Sequence, residues 1–108
     1  MGNTPKTYDI VLTWIPNIRV PSKNQTYTLQ NVSKHNVEHG LWGLLMLKLI
    51  QEGRSNNVMF ALDDILIKYD NGTPVYDRVY LGIPDNNVIR HYNLLEKSTI
   101  KILAYETN

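Results

Sequence analysis

The 108-residue sequence has no cysteine, a single phenylalanine and no long apolar run. Without cysteine there is no disulfide framework and no thiol chemistry. The usual staple of a small secreted domain is missing, which leans the chain towards a reducing compartment. The longest apolar run, around Leu44–Leu47, falls far short of the roughly 20 residues that span a bilayer. Excess charge of one sign is also missing. Eleven Lys and Arg oppose ten Asp and Glu, a net +1 that gives no general reason to bind nucleic acid. The start, "MGNTPKTYD", shows no basic segment leading into an apolar one, so no signal peptide is expected. Lys6 stands where a myristoylation signal carries Ser or Thr. The three Asn-X-Ser/Thr sequons, at Asn24, Asn31 and Asn71, therefore carry no weight as glycosylation sites.

What remains is a globular composition, 43% apolar and 19% charged, at a length suited to one domain over residues 1–108. Tyr8, Ile10, Leu12 and Trp14 alternate through "TYDIVLTWI" and predict a half-buried strand over Thr7–Ile15. Pro16 and Pro21 bracket a long connection, after which "TYTLQNV" predicts a second strand over Thr26–Val32, the pair forming a hairpin with an enlarged loop. Asn36 is the expected cap of one convincing helix that Gly53 closes after Glu52, with Gly40 and Gly43 weakening its first half. "LWGLLMLKLI" is apolar almost all round: Trp42, Leu45, Met46 and Leu49 make one stripe, and Leu41, Leu44 and Leu47 fall on other faces. That extra apolar surface must be covered, by a downstream hairpin or by a partner. A short strand over Val58–Leu62 follows, then strands over Asp64–Tyr69 and Val75–Leu81 around the Asn71-Gly72 turn signal. An irregular segment, Pro84–Tyr92, leads to a last strand over Thr99–Tyr105. Strands, one helix and a closing set of strands predict an α+β fold, one helix layered on one mixed sheet.

Little in the chain asks for catalysis. His35-Asn36-Val37-Glu38-His39 matches the H-x-x-E-H pattern of inverted zinc peptidases. Such a site needs both histidines on one helix, a third ligand and a general base in a cleft. With Asn36 as cap the motif straddles the helix start, and no third-ligand segment follows. His35 and His39 are therefore expected as partly exposed residues at the start of the helix, and no metal site is assigned. Asp63-Asp64, a conceivable carboxylate pair, is expected at a turn or loop edge, because neighbours in a strand point to opposite faces. Ser33 and Ser98 lack a nucleophile setting, and there is no Gly-rich phosphate loop. The chain is expected to be non-enzymatic and to need no cofactor.

The closing stretch carries a resemblance. "IPDNNVIRHYNLLEKSTIKIL" resembles, without gaps, the C-terminal part of ubiquitin-like domains: Asp85, Ile89, Tyr92, Asn93, Leu94, Ser98, Thr99, Ile100 and Ile102 fall at matching places. The match covers about a fifth of the chain, and the order of elements upstream agrees with the β-grasp fold of that superfamily. The resemblance implies that Tyr92 and Leu94 anchor a tight connection and that Ile100 and Ile102 pack beneath the helix. The sequence ends "LAYETN" without Gly-Gly, so conjugation as a modifier is not expected. The longer first loop and the Asn71-Gly72 hairpin, which looks like an insertion, are more similar to the ubiquitin-fold recognition modules of larger cytoskeletal and signalling proteins. These include Ras-binding and Ras-association domains, the first lobes of talin-type FERM heads, and the GTPase-binding domain of an amoebal formin.

Three partner readings follow. The first uses the chain's polarised charge. Up to Lys34, the cations Lys6, Arg19, Lys23 and Lys34 face Asp9 alone (+4 − 1 = +3), whereas Ser55–Tyr80 carries +2 − 4 = −2. The resemblance implies that the second strand, with Thr26 and Thr28, adds to an edge strand of a Ras- or Rho-family GTPase, and that Arg19, Lys23 and Lys34 meet its acidic switch region. The second reading takes Ile18, Arg19, Val20 and Lys23 in "IPNIRVPSK" as an apolar-plus-basic tip for anionic phospholipid at a membrane or the cell cortex. The third takes the apolar helix face as a docking surface of a larger protein or a second copy, although the hairpin is the more expected cover and the isolated domain is expected to be monomeric.

Overall fold

The structure, a computed structural model, describes residues 7–17, 19–54, 57–82, 86–91 and 93–106, of which 64–70 and 73–82 are described by their backbone. Strand β1, Thr7–Ile15, occupies the span its alternation predicts, with Tyr8, Ile10, Leu12 and Trp14 buried and Thr7 and Asp9 exposed. β2, Gln25–Ser33, pairs antiparallel with it after a loop that contains a short 3-10 turn at Pro21–Lys23. Helix α1, Lys34–Gln51, follows without a break. Then come β3, Val58–Asp70, β4, Thr73–Gly82, the short helix α2, Asn87–His91, and β5, Thr99–Glu106. The five strands form one sheet in the order β2-β1-β5-β3-β4. β1 and β5 run parallel at its middle and the other pairs are antiparallel, so the sheet is mixed. The architecture is α+β, with one main helix against that sheet.

The core follows from the period-two alternation of the strands. Tyr8, Ile10, Leu12 and Trp14 of β1, Val58, Phe60 and Leu62 of β3, and Ile100, Ile102 and Ala104 of β5 share one buried cluster with Val37, Leu41, Trp42, Leu45 and Leu49 of α1. Each such large side chain, taken fully out of water, contributes about 1.5–3 kcal/mol. Residues of the opposite parity, Ile15, Ala61, Leu103 and Tyr105, make a second buried cluster. Ile100 and Ile102 thus share the buried cluster with the helix. Leu94 is buried in the connection before β5, while Tyr92 and Asp85 lie outside the described residues.

Several boundaries differ from expectation for local reasons. The cap of α1 is Ser33, whose Oγ accepts the Asn36 backbone N–H at 3.2 Å, and not Asn36. Val37 and Leu41 lie on the core face because they fall at four-residue steps with Leu45 and Leu49, and Met46 is only partly buried. Leu41 therefore belongs to the buried stripe. The two strands expected over Val58–Leu62 and Asp64–Tyr69 are one strand, β3. Its register against β4 shifts between Leu62 and Ile65, so the aspartates sit at a bulge in a strand and not at a turn. Asn71 (φ 51°) and Gly72 (φ 82°) make the two-residue turn between β3 and β4, both in the left-handed region as that turn type requires. Pro84–Tyr92, expected to be irregular, contains α2. The hairpin does not cover the remaining apolar face of α1, since Leu47 and Ile50 stay 52% and 54% exposed.

The connection into β5 is tied to the start of the neighbouring strand β1 by Tyr8, whose hydroxyl donates to the Leu95 carbonyl at 2.8 Å. Burial first, and the nearby Glu38 carboxylate second, push the Tyr8 phenol above its ordinary pKa of about 10. The folded state therefore holds the proton more tightly than the unfolded state. This contribution is complete below about pH 10 and is lost as pH rises through the raised folded value. Tyr8→Phe is expected to cost about 1 kcal/mol near neutrality. It should also fall less steeply in stability than the wild type between pH 10 and higher values, as urea midpoints across that range will show.

Candidate functional site

β2 ends the sheet, so one of its edges faces no other described strand. That edge is not uniform along its length. Tyr8 pairs with Val32 and Ile10 with Leu29, so β2 carries one extra residue opposite Asp9. Asn31 adopts φ 57° there, and its N–H donates to Asp9 Oδ1 at 3.2 Å. Such a bulge breaks the row of regular groups and protects an edge from unwanted pairing. The regular part of the edge is Gln25–Leu29.

A basic cluster stands beside that regular half. Helix α1 stops at Gly53 (φ 72°), where Gly53 N–H donates to Ile50 O at 3.0 Å and Arg54 N–H donates to Leu49 O at 2.9 Å. The two bonds define a Schellman motif, which reverses the chain and aims Arg54 back at β2. The Arg54 guanidinium donates to the Tyr27 hydroxyl from Nε at 3.1 Å and from Nη2 at 2.8 Å, and Nη2 also donates to Gln25 Oε1. Tyr27 in turn donates to Gln25 Oε1 at 3.0 Å. Lys48 Nζ lies 5.4 Å from the centre of the Tyr27 ring and 3.8 Å from Glu52. Arg54 has no carboxylate partner among the described residues. Among the described residues its charge is thus fixed in direction by neutral groups and met by no carboxylate. A β-carbon at Gly53 would meet nothing within 4 Å, so Gly53→Ala acts through backbone strain alone. It is expected to cost about 1–2 kcal/mol and to loosen Arg54 from Tyr27, measurable by urea unfolding and by the Arg54 Nε–H resonance.

The residues singled out from the sequence are placed unequally. Lys23 is exposed in the turn just before β2, and its backbone N–H donates to Val20 O at 3.0 Å. Arg19 is exposed nearby, with its backbone N–H on Asn17 Oδ1 at 2.9 Å. Val20 is partly buried, and Ile18 lies outside the described residues. Thr26 and Thr28 are exposed on β2, with Thr26 Oγ1 3.5 Å from Thr13 Oγ1. Lys34 does not join this group. It sits at the other end of β2, roughly 25 Å away at about 3.3 Å per residue, and its Nζ lies 3.7 Å from Glu38. Arg54 and Lys48 were not legible as site residues, because their approach to Tyr27 and Gln25 depends on where the helix ends over the sheet.

Both histidines of the H-x-x-E-H pattern are on α1, one turn apart and exposed, because the helix starts at Lys34. Among the described residues no three His, Cys, Asp or Glu side chains are grouped to hold a metal ion. A cavity of about 250 Å³ lies between the second turn of α1 and the α2 region, lined by Glu38, His39, Asn86, Asn87, Ile89, Arg90 and Leu95. Among the described residues its lining has no hydroxyl or thiol nucleophile. No helix among the described residues is long and apolar enough to cross a membrane. No protein-family model matches the chain, and comparison with curated proteins and with solved structures gives no significant match.

Proposed function

We propose that the chain is a ubiquitin-like, β-grasp domain that acts as a non-enzymatic recognition module, recruiting a larger cytoskeletal or signalling protein by binding a small GTPase of the Ras or Rho family. The sheet order with a central parallel β1–β5 pair, crossed by one main helix, supports the fold reading. The observation that carries the functional reading is the open Gln25–Leu29 edge of β2 beside Lys23, Lys48 and Arg54. An extended acidic strand laid along it would gain main-chain hydrogen bonds, with the cations supplying steering and charge-assisted bonds. Arg54, held by Tyr27 and Gln25, loses little side-chain freedom on binding, which favours affinity. Titration calorimetry against Ras- and Rho-family proteins loaded with a GTP analogue or with GDP tests this. The reading expects binding that depends on the triphosphate state. Binding instead to vesicles of anionic phospholipid, and to no GTPase, would transfer the function to the Arg19–Lys23 loop.

A second reading rests on Leu47 and Ile50, two large apolar side chains more than half exposed on one face of α1. That face would serve as a docking lobe for the rest of a parent protein, as in the first lobe of a FERM head. Sedimentation of the isolated domain over a range of concentrations separates docking on a second copy from docking on another partner.

A further inference from the structure

We propose that His35 and His39 form an open, two-imidazole site for a late first-row divalent cation, of which Zn²⁺ and Cu²⁺ are the simplest probes. The pair falls at i and i+4 on α1, the spacing that sets two side chains one above the other on a helix. Their ring centres are 4.8 Å apart, with planes inclined at 46°. A metal–nitrogen bond of about 2.0–2.1 Å places the ion roughly 3.2 Å from each ring centre, and the observed separation then subtends roughly 100° at the ion. That lies between the octahedral and tetrahedral angles, so the separation of the two rings suits a shared ion. Imidazole is the ligand type that suits copper, nickel and zinc.

The surroundings allow it. His39 is 62% exposed, so solvent can supply the remaining ligands. Glu38 Oε2 lies 3.6 Å from His39 Nε2, and its charge offsets the positive end of the helix that would otherwise oppose a cation. Of the cations around it, Lys34 is drawn to Glu38 Oε1 at 3.7 Å, and Arg90 of α2 lines a cavity shared with Glu38 and His39. A bound ion would tie the first turn of α1 to the second, just ahead of Gly40. This site is separate from the β2 edge and does not depend on the GTPase reading. With solvent filling the open positions it is a binding site and not a peptidase centre.

The test compares thermal unfolding of the untagged domain with and without zinc chloride, for the wild type and for His35→Ala, His39→Ala and His91→Ala. The wild type and His91→Ala are expected to melt several degrees higher with zinc, by linkage of binding to folding. His35→Ala and His39→Ala are each expected to bind about tenfold more weakly or worse and to lose most of that shift. Cu²⁺ added at low stoichiometry should broaden the His35 and His39 ring resonances before any others. No shift in the wild type, an undiminished shift in His39→Ala, or broadening centred on His91 would each overturn the assignment.

Discussion

Phe60→Ala is expected to remove about 3–5 kcal/mol of stability, the largest loss from any single truncation considered for this domain. Phe60 is fully buried on β3, and its ring centre lies 5.7 Å from that of Trp42 at an inclination of 41°. The truncation loses the transfer free energy of the ring and leaves a cavity between sheet and helix that neither layer can fill without shifting. It also removes an aromatic pair worth about 0.5–1.5 kcal/mol beyond its buried area. Against a total stability of roughly 5–15 kcal/mol, that leaves a marginal fold. Two comparisons make the result specific. Phe60→Leu, which keeps most of the volume, should cost clearly less. Leu47→Ala, on the exposed side of α1, should stay within about 0.5 kcal/mol. Urea midpoints at unchanged slope will report all three.

Reversing Lys23 and Arg54 to glutamate together is expected to weaken GTPase binding about a hundredfold at low salt, whereas reversing Lys34 should change it little. At about 1.4 kcal/mol per decade, the double reversal corresponds to roughly 2.7 kcal/mol shared between two positions. Both cations stand at the regular end of β2, and Arg54 is already oriented by Tyr27 and Gln25. Lys34 lies beyond the Asn31 bulge and is drawn to Glu38. Part of the loss should appear as a slower association rate that salt masks, because exposed charges act through steering. Equal losses from Lys34→Glu and from the double reversal would mean that the acidic partner lies along the whole of β2 and not on its first half. Arg54→Glu also breaks the contacts with Tyr27, so its unfolding midpoint must be measured alongside.

How far the sequence reached depends on the range of the interaction that decides each feature. β1 was legible because Tyr8, Ile10, Leu12 and Trp14 alternate against polar neighbours, and the Asn71-Gly72 turn because its left-handed backbone selects those two residues. The helix start was not. Ser33 and Asn36 are both good caps, and the structure uses Ser33, whose Oγ accepts the Asn36 N–H. β3 runs through Asp63-Asp64 although two adjacent carboxylates read as a break. The bulge there, with continued pairing of β3 to β4, keeps the strand intact. Leu44, Leu47 and Ile50 could not be sorted by pattern alone, since "LWGLLMLKLI" has no polar side to orient it. At the candidate site, Lys23 was named from the charge pattern and, with Thr26 and Thr28, from what the resemblance implies. Arg54 was not, because a residue just past a helix joins a strand 27 positions earlier only through the tertiary path.

The central claim, recognition of a GTPase along the β2 edge, is tested most directly by NMR titration of the labelled domain with nucleotide-loaded Ras- and Rho-family proteins. The account predicts amide shifts concentrated in Gln25–Leu29, Lys23 and Arg54, present with the GTP analogue and absent with GDP. Shifts centred on Leu47 and Ile50, or shifts indifferent to the nucleotide, would contradict it.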